Sequence, residues 1–250
     1  MQSVTFANNP TAIIIALIVG TVPAVLWLLF WLREDKGGRR EPTGLIVITF
    51  IAGMISVILV LPIQKFIAGV VTDHATQITL WAGAEEILKY LAFLVVMSRS
   101  PYLDEPVDYA IYLMTAALGF AALENAMYLI HPIGVNDATV SFLTGNLRFL
   151  GSTLLHSVTS GILGMAVGLA FFKDSGTRFL ATLIGLSAAI GVHSIFNFYI
   201  MQENGKNFIQ IFGLLWVLTI IVLLVFEKLR RMSSYVEHEV EKPYHVHVPL

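Results

Sequence analysis

The stretch Trp81-Ala-Gly-Ala-Glu-Glu-Ile-Leu-Lys-Tyr90 places two carboxylates inside a long apolar run. An ionisable group in hydrocarbon is costly unless it is paired, protonated or wetted by a cavity, so it indicates a functional site. Successive helix residues point about 100° apart, and Glu85 and Glu86 therefore cannot play identical roles. Lys89 lies one turn further on, where it can pair with one carboxylate while the other faces the site.

The composition of the whole chain is that of a membrane protein. Of its 250 residues, 56% are hydrophobic and 13% are charged, and the mean hydropathy is +0.78. A soluble protein typically carries about a quarter charged residues. The net charge of −2 gives no reason to expect a nucleic-acid partner. Because the sequence contains no cysteine, disulfides, thiolate zinc sites and a cysteine nucleophile are excluded.

Apolar runs of about 20 residues predict helices that span the lipid bilayer. They predict an all-α fold, a polytopic membrane bundle of about seven transmembrane helices. We expect one transmembrane domain over residues 1–231, with a catalytic core at 78–200, and a flexible cytoplasmic tail at 232–250. The predicted spans are 11–32, 44–64, 78–98, 109–130, 149–172, 178–200 and 209–227.

The positions of the basic residues predict the orientation in the membrane. If segment 33–43 is cytoplasmic, the cytoplasmic side collects eleven Lys and Arg residues and the outer side three. Cytoplasmic loops carry the excess of basic residues, so we expect an integral protein of the plasma membrane with its amino terminus outside. The first span is predicted to be retained, since no basic residue precedes it and Arg33 and Lys36 follow it.

Four predicted spans carry their ionisable residues at one depth. Counted from the span ends at about 1.5 Å per residue, these residues lie roughly 10 Å below the outer surface. Small residues share a helix face with them, as in the series His156, Ser160 and Gly164, and such faces pack against neighbouring helices. The sequence thus predicts one polar centre inside the bundle, built from Glu85, Glu86, Glu124, His156 and His193.

Short motifs carry these residues along the chain. They are Glu85-Glu86-Ile-Leu-Lys89, Phe120-Ala-Ala-Leu-Glu124-Asn125, His156-Ser-Val-Thr-Ser160-Gly161 and His193-Ser-Ile-Phe-Asn197. Together they resemble the PrsW family of intramembrane proteases, which is related to the prenyl-protein CAAX endopeptidases. Lys89 takes the place of the arginine of the CAAX branch, one position earlier, and Glu124 stands where that branch has its first histidine, which favours the PrsW branch. The resemblance implies a site-1 protease that cuts membrane-bound anti-sigma factors.

The leading hypothesis is therefore peptide-bond hydrolysis within the membrane. Glu85 is expected to act as general base on water, tuned and oriented by Glu86 and Lys89. Glu124, His156 and His193 would complete the centre. Asn125 or Asn197 would donate hydrogen bonds to the developing oxyanion, and Ser160 would support the site.

A metal-bound and a metal-free site both fit these residue types. Carboxylates and imidazoles at one depth can hold zinc with an open water position, or they can activate water alone. The family resemblance favours zinc, with Glu124, His156 and His193 as the candidate ligands. No other cofactor is expected.

Other functions fit the sequence less well. A proton-coupled transporter or channel also uses intramembrane Glu and His, but it needs a file of polar groups across the bilayer. A serine protease of the rhomboid type, with Ser160 and His193 as its catalytic dyad, would leave the glutamates unexplained. The chain has no His-Glu-x-x-His motif.

The predicted substrate is a single-pass membrane protein. Carbonyls in an intact helix are already hydrogen-bonded, so the cleaved stretch should be loosely structured and lie just outside the substrate's span.

Overall fold

Seven helices make up the part of the chain that the structure, a computed structural model, describes: residues 10–35, 41–134, 151–201 and 208–240. The described residues form no strands, and the predicted all-α bundle of about seven helices is confirmed. The helices are α1 (Pro10–Glu34), α2 (Thr43–Val70), α3 (His74–Met97), α4 (Asp108–Gly134), α5 (Thr153–Leu169), α6 (Ser175–Met201) and α7 (Phe208–Val240).

Five of these helices are long and apolar enough to cross a membrane, namely α1, α2, α4, α6 and α7. Helix α3 is long but carries the charged stretch, and α5 is shorter, with 17 residues. Every predicted span corresponds to one helix. The last helix continues past the predicted end at residue 227 to Val240, well into the predicted tail. At the start of this extension Glu227 pairs with Arg230 at 2.6 Å and Arg231 at 2.9 Å, and Leu229 and Ser233 are buried against the bundle. The tail from residue 241 lies outside the described residues.

Helix α4 is the centre of the bundle. It packs against α1, α2, α3 and α5, and most of its residues are buried on every face. Two glycines allow α2 and α4 to touch backbone to backbone. A Cβ on Gly53 would collide with the carbonyl of Ala116, and one on Gly119 would collide with the carbonyl of Phe50. Small residues therefore bring the helices together, as membrane packing requires.

Acidic side chains collect where α1 ends and α2 and α4 begin. The Tyr112 hydroxyl donates to Glu41, and the backbone N–H of Glu105 donates to Asp108 at 2.5 Å. Burial raises the pKa of Glu41 to about 7, and the nearby Asp35 carboxylate adds to the increase. Burial likewise raises the pKa of Asp35 to about 6. These two groups lie outside the helices, in the connection between α1 and α2.

We expect the thermal stability of the protein to fall as pH rises, because of Glu41. A carboxyl whose pKa is raised by folding favours the folded state while it is protonated. That contribution is complete below its ordinary value of 4.5 and is lost as pH rises through about 7. Replacing Glu41 with Gln removes the buried charge and keeps an acceptor for Tyr112. The Tm of Glu41→Gln in detergent should therefore exceed that of the wild type at pH 8 by about 5 °C and match it at pH 5.

The exposed Asp104 at the same end provides the control for this prediction. Asp104→Asn should follow the wild-type Tm at both pH values. Equal Tm values for Glu41→Gln and the wild type at pH 8 would show that the buried Glu41 charge does not lower the stability of the folded protein.

Candidate functional site

Helices α3, α4, α5 and α6 bring the five predicted site residues into one connected group. His156 contacts Glu124 at 3.1 Å, and His193 contacts Glu86 at 2.7 Å and Glu85 at 3.6 Å. Lys89 joins the two sets through contacts to Glu86 and His156. The His156 and His193 rings meet edge to face, with their centroids 5.1 Å apart. Four of the five are buried, and the Glu124 side chain is 19% exposed. The predicted clustering from four separate helices is therefore what the structure contains.

Glu86 is held from several sides. Its carboxylate accepts from Lys89 Nζ at 2.6 Å, from His193 Nδ1 at 2.7 Å and from the Thr159 hydroxyl at 3.0 Å. The Ser160 hydroxyl adds a longer contact of 3.4 Å. With both oxygens engaged, Glu86 serves as an anchor for the site. Its bond to Nδ1 also fixes the tautomer of His193, whose Nε2 then carries the free lone pair.

His156 connects the anchor to Glu124. Lys89 Nζ donates to His156 Nδ1 at 2.8 Å, since an ammonium group can only donate. His156 Nε2 therefore carries the ring proton and donates to Glu124 Oε2 at 3.1 Å. The Ser152 hydroxyl, in the π-helical turn that precedes α5, donates to the same oxygen at 3.2 Å. Lys89 also lies 4.9 Å from the centre of the Phe120 ring, a cation–π contact.

Glu85 differs from Glu86 because one of its oxygens is unused. Gln64 of α2 donates to Oε1 at 2.8 Å. Among the described residues, no group hydrogen-bonds to the buried Oε2. This oxygen lies 3.6 Å from His193 Nε2, too far for a direct hydrogen bond. An acceptor oxygen and a ring nitrogen with a free lone pair thus face the same point, where a water or a cation can be held.

Three side chains at this point have the chemistry and spacing of metal ligands. Each of Glu85, His156 and His193 offers one ligand atom, and these atoms lie within 4.8 Å of one another. Carboxylate oxygen and imidazole nitrogen are ligands that zinc accepts. The group shares two members with the ligand set predicted from the sequence. Glu85 belongs to it in place of Glu124, which is hydrogen-bonded to His156.

The supporting residues predicted from the sequence occupy different positions. The Asn125 amide donates to the Thr153 hydroxyl at 2.8 Å, so it ties α4 to α5. Asn197 is half-buried on α6, one turn beyond His193. Lys89 is fully buried and pairs with Glu86.

Three polar residues of the site were not predicted from the sequence, namely Gln64, Ser152 and Thr159. Gln64 could have been found as a primary amide at the end of an otherwise apolar predicted span. Thr159 lies within a quoted motif, but its orientation depends on how α5 is rotated. No pattern in the sequence marks Ser152.

Comparison with known proteins gives one family. The profile described as "PrsW family intramembrane metalloprotease" matches residues 41–226. "Protease PrsW" of Geobacillus kaustophilus is 29% identical over 163 residues, which cover 64% of this chain and 68% of that protein. "Protease PrsW" of Oceanobacillus iheyensis is 27% identical over 209 residues, covering 82% of this chain and 92% of that protein. The Bacillus subtilis protein of the same name is 25% identical over 182 residues, or 72% and 79% of the two chains. No solved structure gives a significant match.

Proposed function

Because the chain belongs to the PrsW family of intramembrane metalloproteases, we propose that it hydrolyses a peptide bond at the point between Glu85 and His193. The chain is a membrane-embedded peptidase, and the resemblance predicted from its motifs is confirmed. The observation that supports this position for the chemistry is the unpartnered Glu85 Oε2, buried and 3.6 Å from His193 Nε2.

Glu85 and His193 supply the groups that act on water. In the proposed mechanism, Glu85 Oε2 accepts a proton from the attacking water, and it can return that proton to the leaving amine. His193 Nε2 holds the water from the other side. Glu86 keeps the His193 ring in the orientation and tautomer that this requires, through the 2.7 Å bond to Nδ1. Lys89 balances the Glu86 charge.

The family description implies a metal, and the residues at this point fit one. Glu85, His156 and His193 would hold it, and Glu124 would orient His156 from behind. His156 would exchange one of its two present hydrogen bonds for the ion. When bound, zinc would lower the pKa of its water to near neutral, and it would also polarise the substrate carbonyl.

We expect metal removal to inactivate the enzyme. The purified protein should contain about one zinc ion per chain, and chelation should reduce cleavage at least about tenfold, with recovery on zinc addition. Elemental analysis of variants distinguishes the two ligand sets. Glu85→Gln should lose the metal, and Glu124→Gln should retain most of it. Loss in Glu124→Gln alone would favour the set predicted from the sequence. Full activity of the metal-free protein would show that Glu85 and His193 act on water without an ion.

We place the proposed site in the outer half of the bilayer, on the basis of the charge distribution. Arg33, Arg99, Lys173 and Arg178 lie at the helix ends remote from the site, and such basic ends favour the cytoplasm. The proposed substrate is a single-pass membrane protein of the anti-sigma-factor kind, cut where its chain leaves the outer face. Its scissile stretch must be unwound, since a helical peptide bond has its carbonyl already engaged.

Comparative proteomics of membranes tests the proposed substrate class. Cells with the wild type should contain fragments of single-pass proteins that end just outside the span, and cells with Glu85→Ala should lack them. Fragments that end on the cytoplasmic side would contradict the proposed orientation. An identical fragment population in both strains would contradict the proposed function.

A further inference from the structure

Gln64 makes a contact that the catalytic scheme above does not use. Its amide nitrogen lies 2.8 Å from Glu85 Oε1, and the donor comes from α2, outside the helices that carry the sequence motifs. A carboxylate with two free oxygens can turn about its last bond and exchange them. A donor fixed on one oxygen prevents this exchange and leaves a single defined acceptor.

The Gln64 side chain itself lies in a constrained part of α2. Pro62, two residues earlier, removes one backbone N–H from the helix and fixes the local backbone. The Trp81 indole N–H of α3 donates to the backbone carbonyl of Gln64 at 3.1 Å. The same two helices are therefore joined at Gln64 by a backbone contact and by the side-chain contact to Glu85. This double contact sets the position of the amide relative to the carboxylate.

The hydrogen-bond partners of the two glutamates differ, and the difference shows why Glu85 depends on Gln64. Glu86 is held by a lysine, a histidine and two hydroxyl groups. Glu85 receives a single hydrogen bond from the described residues, and Gln64 is its donor. A half-buried primary amide in an apolar helix is itself costly unless it has a partner, and Glu85 is that partner.

We propose that Gln64 is a positioning residue for the hydrolysis, which holds Glu85 Oε1 so that Oε2 alone faces His193 and the water. This inference rests on the proposed function of Glu85. Gln64→Leu removes the donor and keeps a side chain of similar size. We expect kcat to fall about 10- to 100-fold, with KM little changed, because substrate binding does not involve the amide. Gln210→Leu, at an exposed position of α7, is the matched control and should keep wild-type kcat.

Unchanged kcat in Gln64→Leu would overturn the inference. A loss of activity matched by an equal loss of folded protein would overturn it as well, since Gln64 would then act only on the stability of the bundle.

Infrared difference spectroscopy tests the contact without reference to activity. The difference between the wild type and Glu85→Gln identifies the carboxyl band of Glu85. The same difference in the Gln64→Leu background should show this band displaced, whereas the Gln210→Leu background should leave it in place. An undisplaced band would overturn the inference even if the enzyme is active. If the wild type cleaves no peptide, the proposed function fails, and the infrared comparison still decides whether Gln64 holds Glu85.

Discussion

Glu85→Gln is expected to reduce peptide cleavage about 1,000-fold while the protein inserts and folds normally, because the amide cannot accept a proton from water and is a poor ligand for zinc. The variant keeps an oxygen that accepts from Gln64, so the contact between α2 and α3 is preserved. Its Tm should lie close to that of the wild type. The measurement is the cleavage rate of a single-pass substrate by purified protein in lipid nanodiscs.

Glu86→Gln separates the roles of the two neighbouring glutamates. It leaves Glu85 Oε2 in place and weakens the hold on His193 and Lys89, so we expect a loss of about 10- to 100-fold. Glu34 is the last residue of α1 and is not part of the site, so Glu34→Gln is the control for a general effect of removing a carboxylate. Wild-type activity in Glu85→Gln, together with complete loss in Glu86→Gln, would reverse the assignment of the two residues.

Among the variants considered, Lys89→Met should lose the most stability. Lys89 is fully buried, and its Nζ lies 2.6 Å from Glu86 and 2.8 Å from His156. Removing one partner of a buried pair leaves the other charge uncompensated in a medium of low polarity, which typically costs about 3–5 kcal/mol. We expect this loss in the free energy of unfolding, measured by denaturant titration in detergent micelles.

A double-mutant cycle tests whether the loss comes from the Glu86 charge. In Lys89→Met combined with Glu86→Gln, the uncompensated carboxylate is absent. The double variant should therefore be more stable than Lys89→Met alone. Losses that simply add would show that Lys89 stabilises the bundle by packing against Phe120 and not by balancing charge.

Much of the fold could be predicted because hydrocarbon imposes a simple rule on the sequence. Each helix needs about 20 apolar residues, so the seven runs predict the seven helices that the described residues form. The grouping of Glu124, His156 and His193 could also be predicted, since costly residues at one depth in a bundle must meet to satisfy each other. The extension of α7 to Val240 was not predicted, because the continuous apolar run ends at residue 227. Beyond it, as far as Ser233, the helix has only isolated buried residues, Leu229 and Ser233, and the ion pairs of Glu227.

The finer arrangement of the site depends on the rotation of each helix about its own axis. The sequence indicated that Glu85 and Glu86 differ, but the contacts identify Glu86 as the one paired with Lys89. The free oxygen of Glu85 and the tautomers of the two histidines follow from partners on other helices. Gln64 belongs to no motif, and its role follows from a single contact between α2 and α3.

Peptide hydrolysis at Glu85 is tested by mass spectrometry of a single-pass substrate incubated with purified enzyme in nanodiscs. We predict two fragments whose masses sum to that of the substrate plus one water, with the new ends at the outer edge of its span. Glu85→Gln should yield neither fragment. No fragments from the wild type, with proton flux across reconstituted vesicles instead, would contradict the protease function. Equal cleavage by Glu85→Gln would contradict the role of Glu85.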